Sequence, residues 1–387
     1  MTDLGDLSTG LPPERTTPSW TVYVDLDAFY VACHLRERPE LVGRPVIVGP
    51  PPAAGPTRGV VLSASYEARK FGVHSALPVS AAARMCPDAV WIPPDFEKYE
   101  RVSRDVRTLL REFSDDVIPY SIDEAAISLD VPDGPAAREV AEKIQRALRE
   151  RLGLPASLGI ATRRIVAKIA TDRAKPGGIL VVPPESVASF VAPLPVRAAP
   201  GVGPKTEEIL RIHGVVTLGD LAGHRATEVR RWLGGFGAEL VALARGQPLE
   251  EAEPTGGPRS RSTDHTFAVD VDQWEGIEPA VRSLAEELAG TLAKADLRYG
   301  AVGVAFRWAD FSRSQRVRTL PASREGSAPL AERAVRLARE LWEAERSGRR
   351  RPVRTISIRT ERLSERTQRQ VSLDEFEGRT GPAPGIK

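Results

Sequence analysis

Carboxylates at two distant places in this chain have the types and spacing for phosphoryl chemistry. Val22-Tyr23-Val24-Asp25-Leu26-Asp27-Ala28-Phe29-Tyr30 is an apolar run, rich in Val and Tyr, that breaks into two aspartates. It predicts a buried strand whose end presents Asp25 to a cleft. Far downstream, Tyr120-Ser121-Ile122-Asp123-Glu124 sets two adjacent carboxylates between strand-like runs, Val117 to Ile122 and Ala125 to Leu129. Neighbours on a flat strand point to opposite faces, so Asp123 and Glu124 converge only at a turn or a strong twist. If the two strands lie side by side, Asp25, Asp123 and Glu124 form a cluster of negative charge, costly unless cations neutralise it. Two hard divalent ions with oxygen ligands, roughly 3.5–4 Å apart, would do so. Such a pair can hold an attacking 3′ oxygen and a leaving pyrophosphate in line. Either stretch alone also suits aspartates that merely cap or turn a strand end.

Cations accompany the carboxylates. Tyr66-Glu67-Ala68-Arg69-Lys70-Phe71-Gly72-Val73 predicts a short helix ended by Gly72. One-turn spacing can turn Tyr66, Arg69 and Lys70 the same way, offering a phosphate chain a hydroxyl and two charges. Arg164 to Ala174 predicts a helix that runs into Lys175-Pro176-Gly177-Gly178, a cation and a turn. In Pro200-Gly201-Val202-Gly203-Pro204-Lys205-Thr206 the glycines let backbone N–H groups approach a phosphate, and the helix that follows favours the anion. With Lys205 and Thr206 this is the helix-hairpin-helix pattern of sequence-independent DNA-backbone binding. An ordinary packing glycine between two helices is the plainer reading.

These groups need a scaffold. Strands are expected at Pro45 to Gly49, Val60 to Ser65 and Ala156 to Ala161, and helices at Tyr30 to Arg38, Tyr99 to Phe113 and Gly134 to Leu152. Strands interleaved with helices imply a mixed α/β sheet packed on one face. A Pro/Gly-rich linker follows, near residues 246 to 260. Beyond it, Ser262 to Ala268, Gly300 to Trp308, Ser314 to Leu320 and Val353 to Arg359 alternate like strands. Helices Gln273 to Ala295 and Pro329 to Glu345 separate them, a β-α-β-β-α-β order with helices on one face.

At 387 residues the chain has room for two to four domains, and 41% apolar with 27% charged residues is the balance of a soluble globular protein. No apolar run approaches membrane-spanning length, and no secretory leader is expected in residues 1–19, so a cytoplasmic protein with no membrane partner is expected. Cys33 and Cys86 suit neither a disulfide framework nor a thiolate metal site. Net charge is only +2, but Pro258 to Gln370 holds 22 Arg or Lys against 16 Asp or Glu. That basic half, with Arg259 and Arg261 at its start, is a candidate phosphate-tracking surface, while the acidic remainder would hold the metal.

Val-Asp-Leu-Asp-Ala-Phe-Tyr, Ala-Ser-Tyr-Glu-Ala-Arg-Lys-Phe-Gly-Val and Tyr-Ser-Ile-Asp-Glu-Ala, in this order, resemble the Y-family translesion DNA polymerases, specifically the bacterial DNA polymerase IV (DinB) group. The resemblance runs from about Trp20 to Phe376. It implies an α/β (α+β) right-hand polymerase. After a lead-in at 1–19 come a palm at 20–28 and 95–182, small fingers at 29–94 and a helical helix-hairpin-helix thumb at 183–246. A linker at 247–257, a β-α-β-β-α-β little finger at 258–362 and a flexible tail at 363–387 complete it. It implies Asp25, Asp123 and Glu124 as catalytic metal ligands, helped by the Leu26 carbonyl, for two Mg²⁺ ions with Mn²⁺ as the alternative. Phe29, Tyr66, Arg69 and Lys175 would hold the triphosphate, and Tyr30 would exclude a 2′-OH. The expected activity is low-fidelity, template-directed addition of dNMP to a primer 3′-OH without proofreading, by a monomer acting on primer–template DNA and dNTP.

Two features depart from the group. Leu62 stands where a small or hydroxyl residue usually lies against the nascent base pair. Gln370-Val371-Ser372-Leu373-Asp374-Glu375-Phe376 resembles a peptide for the sliding clamp (beta subunit), anchored by Gln370, Leu373 and Phe376, but its aromatic lies two residues beyond the usual place. Two other readings use the same residues: a two-metal nuclease, and a catalytically weak Y-family-like DNA-binding protein. A nuclease gives no reason for Tyr30 beside the metal strand, and the second reading would require a damaged catalytic set.

Overall fold

The first strand, Trp20–Leu26 (β1), is almost wholly buried on both faces, which places it inside a sheet rather than at an edge. A computed structural model describes residues 19–52, 58–247, 259–324, 326–346 and 351–365, and the chain divides into two compact units, Met1–Glu251 and Ala252–Lys387. In the first unit, β1 leads to a helix, Phe29–Leu35 (α1). A small three-stranded sheet follows, of Val46–Val48 (β2), Ser63–Ala64 (β3) and Val90–Ile92 (β4), in the order β3-β2-β4. Two short helices, Tyr66–Arg69 (α2) and Val79–Met85 (α3), lie within this sheet's span of chain. The strand expected over Val60 to Ser65 shrinks to two residues. Val61 instead exchanges backbone hydrogen bonds with Ala76 and Leu77, so its donors and acceptors are taken by a loop.

The main sheet gathers Val117–Pro119 (β5), Glu124–Leu129 (β6), Ala156–Ala161 (β7) and Ile179–Val182 (β8) around β1, in the order β5-β6-β1-β7-β8. Three helices accompany it: Phe96–Leu110 (α4), Gly134–Leu152 (α5) and Arg164–Ala174 (α6). Local chemistry sets the bounds of α5. Asp133 caps its first turn by accepting from the Ala136 N–H, and Gly153 ends it at φ 65°. Its Ala137, Ala141, Ile144 and Leu148 recur at helical spacing and are fully buried.

The sheet is covered on both faces, not on one as the interleaving of elements suggests. Trp20, Val22, Val24 and Leu26 share a core with α4 and α5, whereas Tyr23 and Ala126 share one with α6 and the helices after it. Alternation along β1 therefore sends Asp25 to the same face as Tyr23, the face under α6. Helix and strand approach unusually closely there. A Cβ on Gly159 of β7 would stand 2.0 Å from the Ala167 carbonyl oxygen and 2.3 Å from the Thr171 nitrogen. Thr171 also donates to the Tyr23 carbonyl at 3.0 Å, tying α6 to β1. Five further helices complete this unit: Val187–Val191 (α7), Pro204–Ile212 (α8), Leu218–Ala222 (α9), Ala226–Leu233 (α10) and Gly235–Ala244 (α11).

The second unit follows the expected order closely: Ser260–Val271 (β9), Trp274–Lys294 (α12), Leu297–Trp308 (β10), Arg313–Arg324 (β11), Ser327–Arg346 (α13) and Val353–Glu361 (β12). Its sheet runs β11-β10-β12-β9, every pair antiparallel. Ile277, Val281, Leu284 and Leu288 of α12 meet Val302, Val304 and Phe306 of β10 in one core shared with α13. Alternate residues of β10 thus meet the helices, while the strand as a whole is buried continuously from Tyr299 to Phe306. Among the described residues no helix is long and apolar enough to cross a membrane.

The close seat of α6 yields a stability prediction. Gly159→Ala forces helix and sheet apart, and overpacking of this kind costs about 1–3 kcal/mol. The denaturant midpoint should fall accordingly with the unfolding slope unchanged. A midpoint equal to that of the parent would show that α6 tolerates the displacement.

Candidate active site

At the end of β1 the chain turns sharply, with Ala28 in the left-handed region (φ 46°, ψ 46°) just before α1, a conformation rarely held by a residue with a Cβ. The turn leaves Asp25 and Leu26 on the sheet and swings Phe29 and Tyr30 over a cleft of about 170 Å³. Asp123, Glu124, Leu62, Tyr66, Arg69 and Lys175 line the same cleft. All the residues expected at the metal site, the triphosphate site, the sugar gate and the base-pair pocket therefore meet in one place. Lys70, expected on the same helix face as Tyr66 and Arg69, is exposed and does not line it.

β1 and β6 are antiparallel with Asp25 directly opposite Glu124, so the two side chains emerge on one face as cross-strand neighbours. Asp123 lies just before β6, in the bend that the adjacent carboxylates require. Its carbonyl accepts from the Leu26 N–H at 3.0 Å, and its side chain accepts from Ser121 Oγ at 2.6 Å. The expected trio thus divides into a facing pair and a third member held by its own loop.

Two lysines from α6 and the turn after it neutralise the pair. Lys168 Nζ donates to Asp25 Oδ2 at 3.0 Å and to Glu124 Oε1 at 2.6 Å, and Lys175 Nζ donates to Asp25 Oδ2 at 2.7 Å. The Tyr23 hydroxyl takes the remaining Glu124 oxygen, Oε2, at 2.9 Å. Asp25 is only 4% exposed. Burial, together with its hydrogen bond to Glu124, raises its carboxyl above the usual range, and Lys175 and Lys168 offset this only in part. Burial also works to raise Glu124, but the bonds from Asp25, Lys168 and Tyr23 outweigh it and hold that carboxyl below its usual range. For both lysines burial favours the neutral amine. The Asp25 charge opposes it and keeps each ammonium more firmly protonated than in water.

The second aspartate of the strand has different work. Asp27 accepts from Ser157 Oγ at 2.9 and 3.0 Å, from the Tyr66 hydroxyl at 3.0 Å and from the Gly177 N–H at 2.8 Å. It fastens the end of β1 to β7, to α2 and to the turn that carries Lys175. Burial and the Asp27 charge raise the Tyr66 hydroxyl far above its ordinary value, so it stays a donor. Arg69 lies 4.6 Å from the centre of the Tyr66 ring and donates through Nε to the Ala64 carbonyl.

Tyr30 packs on Tyr99, ring centres 4.4 Å apart, with Phe29 and Phe96 at 5.7 and 6.5 Å. Tyr99 is fully buried and its hydroxyl meets His34 Nε2 at 2.9 Å. This aromatic floor holds the Tyr30 ring at the cleft.

Away from the cleft, Gly201 turns the chain at φ 87°, where a Cβ would also stand 3.0 Å from the Phe236 ring. Gly203 caps α8 without a side chain, so the first-turn N–H groups beside exposed Lys205 and half-buried Thr206 are not taken by a cap. Arg259 and Arg261 are exposed at the start of the second unit. Gln370, Leu373 and Phe376 lie outside the described residues, as does most of the expected linker.

The sequence reading missed Lys168, Asp172, Tyr23 and the fastening role of Asp27. A signal for the first two was present. Lys168, Asp172 and Lys175 follow one another at i, i+4 and i+7, one helical face running to a lysine already singled out. Among the described residues no group of three or more His, Cys, Asp or Glu is arranged as a ready metal cage. The donors nevertheless suit a hard divalent cation: carboxylate oxygens, two of them already within reach of one shared positive charge.

Known proteins resemble this chain along nearly all of its length. The impB/mucB/samB family matches residues 24–172 and its C-terminal domain matches residues 258–373. The chain is 40% identical over 358 residues to the DNA polymerase IV of Methanoculleus marisnigri, covering 92% of this chain and 97% of that one. It is 38% identical over 296 residues to the DNA polymerase IV of Ralstonia nicotianae, covering 75% and 82%. Among solved structures, the Y-family DNA polymerase chimera Dbh-Dpo4-Dbh superposes with a TM-score of 0.81 at 26% identity, covering 89% of this chain and 99% of that one. An insertion ternary complex of Dbh DNA polymerase gives 0.61 at 26% identity, covering 88% and 98%.

The aromatic floor carries a pH prediction. Burial, aided by the Lys98 and Arg38 charges, holds His34 below the ordinary histidine value. An unfolded histidine titrates near about 6.5. Below that pH the unfolded chain binds a proton that the folded one refuses, so stability falls as pH drops. Between about pH 7 and pH 5 the parent should lose more stability than His34→Gln. Equal losses, read by denaturant titration at each pH, would remove His34 from the account.

Proposed function

Since this chain belongs to the impB/mucB/samB family and is a translesion DNA-directed DNA polymerase of the Y family, we propose that Asp25, Asp123 and Glu124 hold two Mg²⁺ ions against an incoming dNTP. The fold implies dependence on a divalent metal. The observation that carries the finer reading is the facing of Asp25 and Glu124 across β1 and β6, with oxygens close enough to share one ammonium. Bound there, divalent ions would make the primer 3′-OH more acidic and offset charge on the phosphates. Tyr66, Arg69 and Lys175 line the cleft beyond the carboxylates, where a hydroxyl and two cations can orient a triphosphate and balance charge building on pyrophosphate. Tyr30, packed on Tyr99 with the two rings tilted by 39°, closes the floor where the sugar would lie and would exclude a 2′-OH. Leu62 on the wall would touch the nascent base pair.

The domain reading follows from the same elements. The five-stranded sheet supports a palm at 20–28 and 95–182, and the small sheet supports fingers at 29–94. The helices from α7 to α11 support a thumb at 183–246, whose Gly201, Gly203, Lys205 and Thr206 suit a DNA phosphate. The β9–β12 sheet supports a little finger at 258–362, with Arg259 and Arg261 on the DNA backbone. Gln370, Leu373 and Phe376 would anchor an extended peptide on the sliding clamp, raising the local concentration of enzyme at the primer end.

Primer extension with Mg²⁺ and dNTPs tests the core of this reading. Asp123→Ala or Glu124→Ala should cut extension at least about a hundredfold while DNA binding survives. Extension above a few per cent of the parent rate would sink the assignment, and primer shortening would point to a nuclease. In the same assay Tyr30→Ala should admit ribonucleotides steeply, and an unaltered sugar preference would reduce Tyr30 to a core aromatic. The tail has its own test. Removing residues 370–387 should leave single-nucleotide insertion intact and abolish stimulation by the clamp. Full stimulation of the truncated enzyme would place the clamp contact in the folded units.

A further inference from the structure

We propose that Lys168 is an internal counter-ion that competes with the divalent metal for Asp25 and Glu124, so that loading the site exchanges one cation for another. The inference rests on reading these two carboxylates as metal ligands. The Lys168 ammonium bonds the oxygens a metal would need from them, Asp25 Oδ2 at 3.0 Å and Glu124 Oε1 at 2.6 Å. A divalent ion cannot share that space with an ammonium a few ångströms away, because like charges in a part-buried site repel strongly.

Three further observations favour exchange over a permanent tie. Lys168 has a third partner, Asp172 Oδ1 at 3.2 Å, one turn along α6 and with its side chain 47% exposed. An ammonium that leaves Asp25 and Glu124 therefore keeps an ionic partner. Glu124 is separately anchored, since Tyr23 holds Oε2 at 2.9 Å while Lys168 takes Oε1, so its position survives the departure of the lysine. The lysine stem is flexible and its charge is a compact point, which suits a short swing better than a planar guanidinium fork.

The arrangement has a use. Without a cation, the facing carboxylates of β1 and β6 would repel one another, and the ammonium keeps them in register. The consequence is weak metal binding by the protein alone. An incoming triphosphate changes the balance, because it adds negative charge to the cleft and can draw Lys175 from Asp25, which it now contacts at 2.7 Å. Metal retention thereby becomes conditional on nucleotide.

Mn²⁺ binding to the full chain, without DNA or nucleotide, tests this through the paramagnetic signal of the free ion. Lys168→Met should tighten Mn²⁺ binding about tenfold or more, and Lys168→Gln, an equal loss of charge with a polar side chain, should do the same. Lys168→Arg keeps the charge and should bind no more tightly than the parent. In chelator both neutral variants should melt below the parent, and excess Mn²⁺ should raise their melting temperature by more than it raises that of the parent. If either neutral variant, shown to be folded by circular dichroism, binds Mn²⁺ no more tightly than the parent, the proposal is overturned. A distinct failure would appear in Glu124→Gln. Unchanged Mn²⁺ binding there would remove Glu124 from the metal site and overturn the underlying reading itself.

Discussion

Two carboxylates that face each other across adjacent strands, with little access to water, must be neutralised for the sheet to close. That constraint organises the first unit. Asp25 and Glu124 emerge on the α6 face because β1 alternates and because its register with β6 sets them opposite one another. The cations that pair with them, Lys168 and Lys175, come from α6 and the turn after it. The helix reaches them because Gly159 leaves no Cβ between it and β7. A glycine in one strand thereby governs the charge balance of its neighbour.

The aspartates of the strand illustrate how two identical side chains two residues apart acquire separate roles. Asp25 meets two lysine ammonium groups and a second carboxylate, all of them ionisable side chains. Asp27 meets a hydroxyl on β7, a phenol on α2 and a backbone N–H, partners that belong to the fold. Removing one partner of so buried a group leaves it unsatisfied at a cost in stability, so the second set belongs to the folded core. The proposed chemistry thus falls on the carboxylate paired with lysines, and the fold is held by the one bonded to β7, α2 and the turn after α6. Tyr30 is treated in the same manner, since its ring rests on a fully buried tyrosine that a histidine holds by its hydroxyl.

The second unit obeys a plainer rule. Two helices pack on its sheet, meeting alternate residues of the central strand β10, which is buried along most of its length. Arginines such as Arg259, Arg261 and Arg307 stay exposed in this unit.

What the sequence by itself determined is local. The structure keeps the expected bounds of α5, β7 and α6 to the residue, those of α5 being set by a capping aspartate and a terminal glycine. The β-α-β-β-α-β order of the second unit was equally legible, as was the bend that Asp123 and Glu124 need. Tertiary structure decided what depends on non-local neighbours. Alternation along β1 divides its side chains between two faces but does not say that helices cover both, nor that Asp25 lies under α6. The close approach at Gly159, the bridge from Lys168, the capture of Asp123 by Ser121 and the exclusion of Lys70 all depend on where distant elements dock. A side chain's type states what it can bond, but its partner is chosen by packing, which brings together residues whose separation along the chain carries no signal.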